Sequence, residues 1–598
     1  MRKNNEMAPT HSLCSLRSRV HKDNLHLGIS FGEVSINTAM TEANPLLAPT
    51  DSSARDYEAS TASDEQTTLT CLGLSLRCPK RSRPYIVVQL LSACLVFAVV
   101  IAAVGWHFGT MYPQQGKVHR SGPVRNVIMM ISDGFGPASQ TLARNYNQYV
   151  HKLPVGTQLS LDSILVGSSR TRSSSSFVTD SAAGATAFSC ALKTYNGAIG
   201  VDPYGIPCGS VLEAAKARGL FTGLVATSRI THATPAAFSA HVSSRNDEDQ
   251  IAMQQLGYYQ LGRRVDLMFG GGLCHFLPNS TASSCRRDNI DVMKEASKLG
   301  WNTGTDRAFF DQLSPETSSF PLLSLFTPDH MSYNIDRDPL VEPSLVEMSQ
   351  KALALLDKAS QKQDTGFFLM IEGSRIDMAA HTNDPSAHIG DILQYNDVIE
   401  AVKSFVDSHP DTILISTSDH ETGGLSVGHQ LGPMYPVYAW YPDAITGVKH
   451  SAEYIVRQLK QYKGANITDF ITNTVFPKWL NSTSPEPSDV AYLSNTAPDA
   501  DQMEYHVGGI VSDWAGLGWS THGHSAVDVN LYAYGAHAEE LFGNHENTDI
   551  GHFISRNLNL DLEGVTNDLK GWNPPLSAKQ GVLSNEVERH IHGRHLGL

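Results

Sequence analysis

Glu372, Asp377 and His381 stand five and four residues apart in the run Glu372-Gly-Ser-Arg-Ile-Asp377-Met-Ala-Ala-His381, and Asp419-His420 and His524 follow at a distance. Carboxylates and imidazoles together make the donor set of a hydrolytic metal centre: they suit zinc, and a harder ion where oxygen dominates. The apolar run 366–371 just before has strand length, so Glu372 falls where a buried strand ends, the edge at which open α/β sheets place their chemistry. Asp377 and His381 share one face of the turn that follows. A second run, Phe177-Val-Thr-Asp180-Ser181-Ala-Ala-Gly184-Ala185-Thr186-Ala187, sets Ser181 at the start of a helix of small residues, where backbone N–H groups and the helix dipole favour an anion. Alone, Asp180-Ser181 reads as a helix cap. Beside two cations the serine reads as a nucleophile that needs no histidine base.

The elements that must position these residues follow from the apolar pattern. Runs at 124–131, 220–226, 265–269, 367–371 and 412–417 have strand length, and helical stretches such as 344–360 and 389–406 lie between them. This alternation predicts an α/β fold with a mostly parallel central sheet and helices on both faces. Three of the strands close on acids, Asp133, Glu372 and Asp419, which one sheet edge would bring together. From 431 to 511 the alternation gives way to Pro, Asn and Ser, as expected of an insertion over the site before a last strand at 529–534.

A formal net charge of -15 over 598 residues excludes a nucleic-acid-binding surface, which needs a basic face. Residues 1–84 are polar without apolar periodicity and read as a disordered tail. The uncharged segment 85–106 is long enough to span a bilayer and lies too far from residue 1 for a cleaved signal peptide, so a single transmembrane signal anchor is expected. Arg77, Lys80, Arg81 and Arg83 before it, against Lys117 and Arg120 after it, place the N-terminus in the cytosol. A stalk at 107–122, a catalytic domain at 123–555 and a C-terminal tail at 556–598, open to processing, complete the layout. The sequons at Asn279, Asn466 and Asn481 fall on the non-cytosolic side, as do Cys190, Cys208, Cys274 and Cys285, whose short separations permit disulfides 190–208 and 274–285. In the tail, Glu42, Leu46 and Leu47 have the form of an acidic dileucine signal read by a sorting adaptor.

Across residues 123–545 the chain resembles the alkaline phosphatases, and its topology is similar to the membrane-anchored vacuolar members of fungi. The motifs carrying the resemblance are Ser132-Asp133-Gly134, Asp180-Ser181-Ala-Ala, His232-Ala-Thr234-Pro, Arg245, Glu372 to His381, Asp419-His420-Glu-Thr-Gly-Gly and His524. The resemblance implies a crown-type inserted subdomain, a homodimer, and two zinc ions and one magnesium ion per subunit. It assigns Asp377, His381 and His524 to the first zinc and Asp133, Asp419, His420 and Ser181 to the second. Magnesium would be held by Asp133, Thr234 and Glu372, with His232 a neighbour of that third site. Arg245 would clamp two phosphate oxygens; Arg229 is its nearest rival. Implied too is hydrolysis of small phosphate monoesters of many kinds through a phosphoserine at Ser181, in a vacuolar lumen.

Two departures stand out. His232 occupies a position where bacterial relatives have Asp, and an imidazole holds a magnesium water shell less well than a carboxylate. Met378 follows Asp377 where relatives usually have His or Lys. Two alternatives use the same motifs. A phosphodiesterase, sulfatase or phosphonate hydrolase on this core would usually have Thr or a modified Cys as nucleophile and lack the third metal, unlike Ser181 with Thr234 and Glu372. A membrane-tethered inactive binding protein would show the loss of a ligand.

Overall fold

The computed structural model describes residues 67–71, 74–78, 95–97 and 123–572, apart from 431 and 496. The chain divides into two units, 1–113 and 114–598. In the first, β1 (Thr67–Cys71) and β2 (Leu74–Cys78) pair antiparallel within the segment read as a disordered tail. The dileucine signal lies outside the described residues, and of the segment 85–106 only residues 95–97 are described, as helix. No helix among the described residues is long and apolar enough to cross a membrane.

The second unit is built on a ten-stranded sheet. Its strands are β3 (Asn126–Ile131), β4 (Leu165–Arg170), β5 (Phe221–Arg229), β6 (Leu267–Gly271), β7 (Asn302–Gly304), β8 (Leu322–Leu325), β9 (Phe367–Glu372) and β10 (Thr412–Thr417), with β13 (Val529–Gly535) and β14 (Gly543–Glu546). Between the last two groups, β11 (Glu421–Thr422) and β12 (His524–Ser525) pair only with each other. The sheet order is β14-β4-β13-β10-β3-β9-β5-β6-β8-β7. Every pairing is parallel except the two made by β13, so one strand runs against nine.

Both faces of the sheet are buried, as parallel sheets require. In β3, Val127, Met129 and Ile131 enter one apolar core and Ile128 and Met130 the other; Phe368 and Met370 of β9, against Phe367, Leu369 and Ile371, divide the same way. One face is covered by helices Val211–Ala217 and Asn547–Asn557, the other by Leu345–Gln363 and Pro385–Ser408. Helix starts follow local chemistry. Ser344 and Glu347 form a capping box, and Asp384 caps Pro385–Ser408 with Pro385 at its first turn, four residues ahead of the expected start.

The expected insertion forms helices Asp443–Thr446, Ala452–Gln461, Ile467–Phe470, Pro487–Ser494 and Ala500–Ala515 around a third apolar core that includes Ile455, Ile471, Val475, Phe476 and Val507. Ordered structure also continues past residue 555: helix Leu562–Asp568 packs Val565 and Leu569 against Ala214. Cys274 and Cys285 are disulfide-bonded. The expected 190–208 bridge is corrected: both thiols are free and buried, and the Cys190 thiol donates to the Cys208 carbonyl oxygen at 3.2 Å.

Candidate metal centre

Parallel register levels the strand ends. Ile131 of β3 lies beside Thr417 of β10 and Glu372 of β9, and Glu372 beside Ala226 of β5, so the residues just beyond emerge at one edge. Asp133, Glu372, Asp419 and His420 are each fully buried there. Gly134 makes the turn after β3 with φ +73°, and a Cβ on it would lie 2.6 Å from Asp377 Cα, so only glycine serves.

Three groups of possible ligand atoms form at this edge, each within 4.8 Å: Asp377, His381 and His524; Asp133, Asp419 and His420; Asp133, His232 and Glu372. Every residue expected to ligate metal thus lies in one of them or, for Thr234 and Ser181, among them. The rings of the first group are fixed from behind. His381 Nδ1 donates to the His522 carbonyl and His524 Nδ1 to the Thr179 carbonyl. Their Nε2 atoms are left facing each other at 3.2 Å, with Asp377 Oδ2 3.3 Å from that of His381. Two imidazole lone pairs held at that distance call for a cation between them. In the second group His420 Nε2 lies 3.1 Å from Asp419 Oδ2 and 3.6 Å from Asp133 Oδ1.

Asp133 Oδ2 and Glu372 Oε1 are buried without a hydrogen-bond partner, and Asp377 Oδ2 and Asp419 Oδ2 are buried against the Nε2 atoms of His381 and His420. A buried carboxylate oxygen without a partner is costly unless a cation meets it. The electrostatics agree. Burial, reinforced by Asp419, Asp377 and Glu372, raises the Asp133 carboxyl well above its ordinary value, and burial raises Glu372 to about 7. Burial acts the same way on Asp377 and Asp419, but the imidazoles of His381 and of His420 respectively outweigh it and bring both down. The donor set fits divalent metal ions.

Ser181 opens helix Ser181–Cys190 at full burial, its Oγ 3.1 Å from His420 Nε2 and 3.5 Å from Asp133 Oδ1. Asp180 caps the helix through Ala183 N and, through its other oxygen, accepts Arg245 NH1 at 3.1 Å. Arg245 NH2 meets His232 Nε2 at 3.1 Å. The rival Arg229 is taken up by Glu248 and Asp329. Gly184 lets the helix approach, since a Cβ there would come 2.8 Å from Asp419 Cβ. Met378 is buried against Tyr333, Ala379 and Ala387, with its sulfur 2.9 Å from Arg375 NH1.

Sequence reasoning passed over Thr422, whose hydroxyl donates to Asp377 Oδ1 and stands 3.2 Å from His420 Nδ1. Its place two residues after His420 was the available signal. Ser228, which donates to Glu372 Oε2 at 3.2 Å, gave none.

The family model for alkaline phosphatase matches residues 124–560. The repressible alkaline phosphatase of Saccharomyces cerevisiae is 43% identical over 526 residues, 84% of this chain and 92% of the relative. The alkaline phosphatase of Schizosaccharomyces pombe is 48% identical over 446 residues, 74% of this chain and 83% of the relative. Among solved structures, a cold-active alkaline phosphatase from a psychrophilic Shewanella superposes with a TM-score of 0.61 at 30% identity, covering 72% of this chain and 99% of that one. Fold and site together define a metal-dependent hydrolase. The chain belongs to the alkaline phosphatase family.

Proposed function

We propose that this enzyme hydrolyses a broad range of phosphate monoesters through a phosphoserine at Ser181, with two zinc ions and a third cation, magnesium, at the three ligand groups. The observation that carries the reading is the cluster of buried ligand oxygens around a serine hydroxyl at a helix start. Asp377, His381 and His524 would hold the first zinc, Asp133, Asp419 and His420 the second, and Asp133, Thr234 and Glu372 the magnesium. Bound there, the cations would neutralise phosphoryl charge and make the serine and the attacking water acidic enough to react.

The chain's own residues do the rest. Arg245, its fork pinned by Asp180 and His232, keeps further N–H donors for two phosphoryl oxygens. Ser181 Oγ bonds to phosphorus as the ester P–O bond breaks and the alcohol leaves with a proton. Water then attacks the same phosphorus, the Oγ–P bond breaks, and inorganic phosphate departs as Ser181 regains its proton. The loose phosphoryl transition state asks for positioning and charge more than for acid–base help. Burial first, then Arg245, keeps the His232 ring neutral. With Nε2 accepting from Arg245, His232 carries its proton on Nδ1 and would meet a cation held by Asp133, Thr234 and Glu372 as a hydrogen-bond donor to its water rather than as a ligand. A site that grips only the phosphoryl group accepts many leaving alcohols.

The uncharged segment at 85–106 and the dileucine motif support a single-pass anchor that places this domain in a vacuolar lumen, and the family resemblance supports a homodimer. Exposed Asn279, Asn466 and Asn481 are the sites for glycans there. The test is to assay the purified protein on a chromogenic monoester, a phosphodiester and a sulfate ester, before and after chelation and return of zinc and magnesium. Monoester turnover lost on chelation and restored by metal supports the reading. Preference for the diester or sulfate moves the enzyme to a sister activity, and no turnover with metals bound makes it an inactive scaffold.

A further inference from the structure

The helix Arg375–His381 carries two ligands of the first site, Asp377 and His381, yet has only seven residues and no side-chain cap at its start. Besides the Thr422 hydroxyl on Asp377, it is held from outside by the inserted subdomain. At its first position the Arg375 side chain is 2% exposed, ion-paired with Glu453 of helix Ala452–Gln461 and stacked 3.6 Å from the Tyr333 ring. Just past its end, Asp384 Oδ2 accepts Ala452 N at 2.7 Å and Ser512 Oγ donates to the Asn383 carbonyl at 2.9 Å. Helix Ala500–Ala515 sits so close that a Cβ on Gly508 would lie 2.3 Å from the Thr382 carbonyl oxygen. From the same helix Tyr505 stacks on His522 at 3.8 Å, and His522 exchanges two hydrogen bonds with His381, one of which orients its ring. The second and third sites are anchored differently, by groups at the strand ends: Gly134 N on Asp419 and Ser228 on Glu372.

We propose that Glu453, Arg375 and Tyr505 are positioning residues for the first metal site, and that through these contacts, rather than through the packing of its own core, the inserted subdomain sets how tightly that site alone keeps its cation. The inference rests on the two-zinc reading above. Removing Glu453 leaves the buried guanidinium without its closest anion, and an uncompensated buried charge is strongly destabilising where it sits. Outer contacts that orient metal ligands typically matter by about 10–100-fold in affinity.

The test uses the full chain loaded with zinc and magnesium, comparing wild type, Glu453→Gln, Tyr505→Leu and Val475→Ala. The last deletes apolar bulk from the subdomain's own core and reports general loosening. Metal content is counted first; a wild type with fewer than two zinc ions fails the two-zinc reading itself. Zinc release to a colorimetric chelator is then followed, with His381→Ala identifying the phase that belongs to the first site. The expected result is that Glu453→Gln and Tyr505→Leu each speed that phase about tenfold or more while the other zinc leaves at the wild-type rate. With them kcat should fall at limiting zinc and return in excess zinc. Unchanged release in both variants, equal acceleration of both zinc ions, or the same selective effect in Val475→Ala overturns the proposal. Because Glu453 and Tyr505 act from different helices, misfolding of one variant leaves the other to decide.

Discussion

Thr422 donates its hydroxyl to Asp377, and the same oxygen stands 3.2 Å from His420 Nδ1, so one side chain links ligands of two different metal groups. It holds the His420 ring with Nε2 turned toward Asp133, Asp419 and Ser181. Thr422→Val keeps the shape and removes the link. Activity at limiting zinc is expected to fall about 10–100-fold, with partial recovery at high zinc, because Asp377 and His420 lose the group that orients them. Zinc titration of the demetallated variant measures it.

Ser181→Ala should lower kcat by several orders of magnitude while leaving metal content intact, because the ligand groups are complete without the hydroxyl. Steady-state kinetics paired with elemental analysis check both halves. Near-normal turnover in this variant would move the nucleophile elsewhere.

Arg245→Lys retains the charge but loses the planar fork that Asp180 and His232 pin from behind. A lost charge-assisted hydrogen bond costs about 1.5–3 kcal/mol, so kcat/KM should drop roughly 10- to 100-fold. Inhibition by inorganic phosphate should weaken in parallel, which a competition assay reads directly. The same change at Arg229, which is already paired with Glu248 and Asp329, should act on stability and spare phosphate inhibition.

Asp391, in helix Pro385–Ser408, supplies a pH dependence from a group that is not itself a ligand. Burial raises its carboxyl to about 7 despite the Arg375 guanidinium nearby, against about 3.9 in an unfolded chain. With the folded value above the unfolded one, its contribution is full below pH about 4, declines as pH rises toward 7, and is flat above. Asp391→Asn removes that slope. The variant should therefore gain on wild type between pH 4 and 8, by up to about 4 kcal/mol, in denaturant unfolding at saturating metal.

Much of the centre was legible because its parts end continuous apolar runs: Glu372 is the last residue of a strand buried on both faces, and Asp133 and Asp419 lie two residues past the ends of two others. Strands without that signal were missed. Asn302–Gly304 and Gly543–Glu546 are short and polar, Leu165–Arg170 is half exposed, and Leu322–Leu325 is only four residues long. The reversed direction of Val529–Gly535 depends on a connection through the insertion, which local pattern does not encode. Spacing allowed two disulfides alike, but of those four cysteines Cys274 and Cys285 are bonded and Cys190 and Cys208 are free. The grip of Glu453 on Arg375 joins residues 78 apart in sequence, beyond the reach of any motif.

The central claim is that phosphate passes through Ser181. The direct measurement is to mix the metal-loaded enzyme with a phosphate monoester or inorganic phosphate, quench in acid within milliseconds, and map covalent phosphate by mass spectrometry. Phosphate on the Ser181 peptide, formed as fast as turnover and lost in Ser181→Ala, is the expected result. Rapid monoester hydrolysis with no phosphate trapped on Ser181, or with it trapped on another residue, would contradict the mechanism.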